Sequence, residues 1–207
     1  MSILHYSLPT NDAPIPEARY AETFASFRSA LSTVVGAQHE LKQFLKDGLE
    51  REHALNPRLL VSLEIQDAVL KKAARKTERR AHGIPRVLAL DEMQLAHKAS
   101  GGMLDFFKQI EAVTKTSTFT AVKHNMDKGQ SLDQALNRYI RKHGGRLEPS
   151  ERQEMRDYLT MALQGQRLSQ EHSGFVEKFH RDLTRLRADK GFCEFVKQGV
   201  KTALERE

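Results

Sequence analysis

The sixteen residues from Lys71 to Arg86 hold seven cations, Lys71, Lys72, Arg75, Lys76, Arg79, Arg80 and Arg86, and one anion, Glu78. That local excess equals the formal net charge of the whole chain, +6, so the remaining residues are balanced. Ammonium and guanidinium groups at this density recognise phosphates and other polyanions. On a helix, at about 100° per residue, the six cations from Lys71 to Arg80 fall on one half of the circumference. Leu70, Ala73, Ala74, Thr77 and Ala81 fall on the other. The alanine side can press against a neighbouring helix, which leaves the cations to water or a ligand. The pairs Lys71/Arg75, Arg75/Arg79, Lys72/Lys76 and Lys76/Arg80 are four residues apart, and each like pair costs a few tenths of a kcal/mol. Glu78 alone offers local relief.

Three kinds of ligand fit such a face: nucleic acid, an acidic protein surface and an anionic membrane surface. The pattern also fits a plain solvated face, since charge near a helix C-terminus complements the macrodipole. The membrane reading is the weakest of the three, because the alanine side lacks the Leu, Phe or Trp bulk of an interfacial anchor. About four to six neutralised phosphates would give salt-sensitive affinity with little sequence selectivity. Further cations at Arg138, Arg141, Lys142, His143 and Arg146, and at Arg181, Arg185, Arg187 and Lys190, have Glu148, Glu151, Asp182 and Asp189 nearby in sequence. They read as ordinary helical surface that could extend a basic groove.

Other chemistry has weaker support. Glu50-x-x-His53 and Glu177-x-x-His180 have the spacing of di-iron bundle ligands. With 9 histidines in 207 residues, about one such match arises by chance, and no metal or other cofactor is expected. Val87-Leu88-Ala89-Leu90-Asp91-Glu92 has the form of a Walker B strand, but no Gly-x-x-x-x-Gly-Lys-Ser/Thr loop accompanies it. It also reads as a helix. Cys193 lies between Phe192 and Phe195 and reads as a buried, inert thiol. No Gly-x-Ser-x-Gly elbow supplies a serine nucleophile. Ser100-Gly101-Gly102 could offer free backbone N–H groups to an anion, or be a linker.

The elements that position these residues are helical throughout. Residues 1–16, with Pro9, Pro14 and Pro16, read as an irregular arm. Tyr20, Phe24, Phe27, Leu31, Val34, Gln38, Leu41 and Leu45 step by four and three along a seam with one polar position, predicting a helix over 17–47 that continues through Gly36. Asn56-Pro57 opens a second helix and Gly83 with Pro85 closes it, giving a helical hairpin over 17–84. The remainder, 85–207, reads as a bundle of shorter helices packed with the hairpin as one domain. Ser100-Gly101-Gly102, Gly129, Gly144-Gly145 and Gly165 serve as stops, and Ser131/Gln134 and Ser150/Gln153 as capping boxes. Phe175, Phe179, Leu183 and Leu186 mark a stripe near 169–189, and Phe192, Phe195, Val196, Val200 and Leu204 the last helix. About nine helices and no strand pattern predict an all-α protein.

One cysteine precludes an internal disulfide and fits a reducing compartment. The first residues carry neither a cationic region nor an apolar core of a secretory leader. These features predict a cytoplasmic protein, with export by a specialised secretion system as the other route. The expected function is non-enzymatic binding of nucleic acid through the basic helix. The alternative is an adaptor or secreted effector binding an acidic protein, with the seam of 17–47 or the Phe175/Phe179 stripe as its contact surface unless those stripes are core.

Overall fold

The structure, a computed structural model, describes residues 14–50, 90–143 and 145–205. Among them are a short 3-10 turn at Glu17–Arg19 and six α-helices. These are α1 (Tyr20–Glu50), α2 (Leu90–Thr114), α3 (Ser117–Met126), α4 (Leu132–Lys142), α5 (Pro149–Ala188) and α6 (Lys190–Glu205). No strand occurs among the described residues. The expected second hairpin helix lies outside them, as does the arm before Pro14.

The seam on 17–47 is the buried face of α1. Tyr20, Phe27, Val34, Gln38, Leu41 and Leu45 are buried, and Phe24 and Leu31 pack against the same core. Facing them are Met93, Met103, Phe106 and Ile110 of α2, Val176, Phe179 and Leu183 of α5, and Phe192 and Val196 of α6. Phe27 stacks on Phe179 at 5.5 Å between ring centroids, and Phe44 meets Phe106 edge-on at 5.8 Å. Residue pairs 27/179 and 40/172 set α1 antiparallel to α5, and pairs 97/184 and 100/180 do the same for α2. Hence α1 and α2 run parallel to each other.

A second, smaller core lies along the N-terminal half of α5. It joins Phe119 and Val122 of α3, Ala135 and Leu136 of α4, and Leu159 and Ala162 of α5. Gly129, at φ 89°, makes the turn between α3 and α4, a backbone region that glycine enters at little cost. Ser131 caps α4 as the sequence predicts. Its backbone N–H donates to Gln134 Oε1 at 3.0 Å, and its hydroxyl accepts from the Gln134 N–H at 3.3 Å.

Three expected boundaries are corrected. Gly101 and Gly102 do not end a helix, because α2 runs through both. A Cβ at Gly101 would lie 3.3 Å from the His180 ring, so the missing side chain lets that ring close on α2. Gly165 does not end one either, because it lies inside the 40-residue α5, which runs on to Ala188. A Cβ there would lie 2.6 Å from Ile110 Cδ1, so this glycine marks a close approach of two helices. Finally, α5 begins at Pro149, with the Glu148 N–H donating to the Glu151 carboxylate at 2.9 Å, in place of the expected Ser150/Gln153 box. Proline is preset for the first helical position and fixes the start there.

At the other end of α5, Asp189 interrupts the helical run. One of its carboxylate oxygens accepts from the Phe192 N–H at 2.9 Å and starts α6, and the other accepts from the Ile15 N–H at 3.2 Å. Ile15 is itself buried, so the residues just before α1 are tied to the α5–α6 corner. Gly191 lacks the Cβ that would strike the Tyr20 hydroxyl, which lets Tyr20 lie against the first turn of α6.

Candidate functional site

Lys71, Lys72, Arg75, Lys76, Arg79, Arg80 and Arg86 all lie outside the described residues. The described cations bear on the same chemistry at a different place. Arg138, Arg141, Lys142 and Arg146, on α4 and the turn after it, are exposed, and none makes an ion pair with a carboxylate among the described residues. The acids that offset them in sequence do not do so in space. Glu151 spends its carboxylate on the Glu148 backbone N–H. Asp133, at the start of α4, pairs with Arg156 of α5 at 3.2 Å.

The α4 face is positioned by its opposite side. Ala135 and Leu136 are fully buried against α3 and α5, and Thr118 and Tyr139 join hydroxyls at 2.9 Å across the α3–α4 pair. What remains outward is cationic and amide-bearing. Gln134, Asn137, Arg138 and Arg141 line a concavity of about 350 Å³. Its guanidinium and amide N–H groups are hydrogen-bond donors, and guanidinium in particular matches the oxygens of phosphate as a fork.

A second polar cluster joins α2 to α5. His97 and His180 stack at 4.2 Å between ring centroids. Ser100 Oγ lies 2.8 Å from His180 Nδ1 and also donates to the His97 carbonyl at 3.0 Å. The Thr184 hydroxyl donates to the His180 carbonyl, so its oxygen is left to accept from His97 Nε2–H at 3.1 Å. Burial, then repulsion from His180 and Arg187, holds His97 below the usual imidazole range. The spacing resembles a serine–histidine pair, yet Ser100 is 0% exposed and no substrate carbonyl can reach its oxygen. Among the described residues, no carboxylate bonds His180 to orient it as a base.

Glu177, of Glu177-x-x-His180, lines a groove with His180 between α2 and α5, with Lys108 and Arg181 beside it. Cations there disfavour a metal ion. His53 of the other Glu-x-x-His pair lies outside the described residues. Glu40, Glu171 and His172 bring possible ligand atoms within 4.8 Å. His172 Nε2 is bonded to Glu40 at 3.1 Å, an α1–α5 tie. Cys193 is half-buried, with its thiol 3.6 Å from the Leu186 and Arg187 carbonyls, and burial is the largest of the effects that raise its pKa. Leu90, Asp91 and Glu92 are helical, so the end of the Walker-like run is no strand.

The apolar stripes considered as contact surfaces are core: Phe27 and Phe179 are at most 1% exposed, and Phe175 packs on the same cluster. Sequence reasoning missed Asp189 as the start of α6, although an Asp immediately before an apolar-periodic run is a cap signal. It also missed the His97–Ser100–His180–Thr184 network, since residues that meet across two helices carry no shared spacing. No helix among the described residues is long and apolar enough to cross a membrane. The chain matches no known family model, no curated protein and no solved structure.

Proposed function

We propose that this chain is a non-enzymatic helical protein that binds nucleic acid phosphates through Lys71, Lys72, Arg75, Lys76, Arg79, Arg80 and Arg86. The observation that carries the reading is the charge distribution: the whole net charge of +6 falls within residues 71–86. A neutral body bearing one concentrated positive field attracts polyanions, and the attraction is screened by salt. The burial of the apolar stripes supports this reading over the adaptor alternative, whose contact surfaces those stripes would have been. The burial of Ser100 and the raised Cys193 pKa support a binding role over a catalytic one.

The test is fluorescence anisotropy with a labelled duplex and a labelled single strand across a salt series. The parent should bind both with affinity that falls steeply as salt rises. Charge reversal at Arg75, Lys76 and Arg79 should abolish binding while the circular dichroism spectrum stays unchanged. A folded reversal variant that binds as tightly as the parent would refute the assignment. With no Trp and 4 Tyr, the protein absorbs little at 280 nm, so co-purified nucleic acid would dominate the 260/280 ratio and wash away in high salt.

A further inference from the structure

We propose that the C-terminal half of α4 with the turn after it, Arg138, Arg141, Lys142 and Arg146, forms a second contact surface for the phosphodiester backbone. This inference rests on the reading of the chain as a nucleic-acid binder. It is carried by residues distinct from the basic stretch. All four side chains are exposed and lack carboxylate partners among the described residues. Arg138, Arg141 and Lys142 stand three and four residues apart, neighbours at about 5–6 Å on one strip of the helix. Arg138 and Arg141 share a concavity with the amides Gln134 and Asn137, so the strip offers directed donors as well as charge.

The dipole of α4 does not account for this set. Attraction between cations and a helix C-terminus acts within the last turn, which explains Arg141 and Lys142. Arg138 stands a turn earlier, and Arg146 lies beyond the helix end at Lys142. Three of the four are arginines, whose fork pairs with two phosphate oxygens at once. The strip is also held rigidly from behind, since Leu136 is 0% exposed in the small core. A repeating polyanion such as a duplex fits this row on a held helix better than a flexible acidic segment does, because neither backbone has to be ordered on binding.

The experiment compares three full-length proteins on a labelled 20-base-pair duplex: the parent, Arg138→Gln/Arg141→Gln/Lys142→Gln, and the charge reversal at Arg75, Lys76 and Arg79. The α4 variant should bind at least about tenfold more weakly at low salt. Its log–log salt slope should be shallower by about 2 to 3, since each lost duplex phosphate contact is worth about 0.9. Parent-like affinity and slope in a folded α4 variant overturn the inference and leave the proposed function standing. A parent that binds no nucleic acid overturns both. A weakened α4 variant beside an unaffected reversal variant supports α4 and refutes the role of the basic stretch. Polyglutamate that displaces the duplex from the parent at equal charge concentration overturns the phosphate assignment. If the triple variant loses helicity, the single exposed changes Arg138→Gln and Arg141→Gln decide by the same readout, each shifting the slope by about 1.

Discussion

Gly165 tests whether α2 and α5 meet as described, because alanine there has two opposed effects of known size. Alanine is a better helix former than glycine by about 0.8–1.0 kcal/mol. Against that gain, its Cβ would sit 2.6 Å from Ile110 Cδ1, 3.1 Å from Ile110 Cγ1 and 3.5 Å from Phe44 Cζ. Carbon atoms rest at about 3.5–4.0 Å, so two of the three contacts are too close. Ile110 is 1% exposed and Phe44 7%, which leaves little room to retreat. Overpacking of this kind costs about 1–3 kcal/mol. Gly165→Ala should therefore range from neutral to about 2 kcal/mol destabilising. Gly174 is the internal control: it lies on the same helix, is exposed, and has nothing within 4 Å of its would-be Cβ. Gly174→Ala should gain about 1 kcal/mol.

The assay is urea and thermal unfolding followed by helical circular dichroism. One kcal/mol corresponds to about 2–4 °C in a chain of this size, so the two variants should move in opposite directions or differ by several degrees. Ile110→Val removes the Cδ1 atom in the clash. It should cost about 0.5–1.5 kcal/mol in the parent and less in the Gly165→Ala background, with a coupling of at least about 0.5 kcal/mol. If Gly165 instead ended a helix with left-handed backbone, the alanine cost would be conformational and Ile110→Val would not relieve it. Simple additivity, or a Gly165→Ala protein as stable as Gly174→Ala, refutes the close approach.

Two further outcomes follow from the local geometry. Ser131→Ala should cost about 1 kcal/mol, because its hydroxyl holds the Gln134 N–H, whereas Ser150→Ala should be near neutral, because Glu148, Glu151 and Pro149 start α5; denaturant midpoints check both. His97 is held below its ordinary value of 6.5, so below about pH 6.5 the unfolded chain binds the extra proton more readily and stability falls as pH drops. Its contribution is complete above that pH, and His97→Gln should flatten the slope of melting temperature between pH 7 and 5.

Much of the fold was legible where a residue's role is settled by its own neighbours in sequence. The four-and-three seam of α1 became buried core, and Ser131 with Gln134 became a reciprocal cap. The failures occur where a distant element decides. Gly101 and Gly165 read as stops because glycine disfavours a helix interior, yet each gives room to a side chain of another helix, His180 in one case and Ile110 in the other. Ser150 reads as a cap by its spacing to Gln153, yet Pro149 just before it is preset for the first helical position and starts α5 there. The cations of α4 read as offset because Glu148 and Glu151 are near in sequence. In space Glu151 turns to the backbone of its own helix start.

Beyond the missing carboxylates, α4 also places like charges at helical spacing. Some charges of this protein pair at short spacing: Lys115 with Glu111 at 2.7 Å, Lys123 with Asp127 at 2.9 Å, Arg19 with Glu22 at 3.4 Å. Such exposed pairs contribute little singly. On α4 the fourth residue after Arg138 is Lys142, a like charge that costs a few tenths of a kcal/mol where a carboxylate would have gained as much. The sequence of residues 71–80 holds four pairs of cations at the same spacing. On α4 that repulsion is one that an Asp or Glu at either position would relieve, and under the proposed function a bound polyanion would relieve it as well.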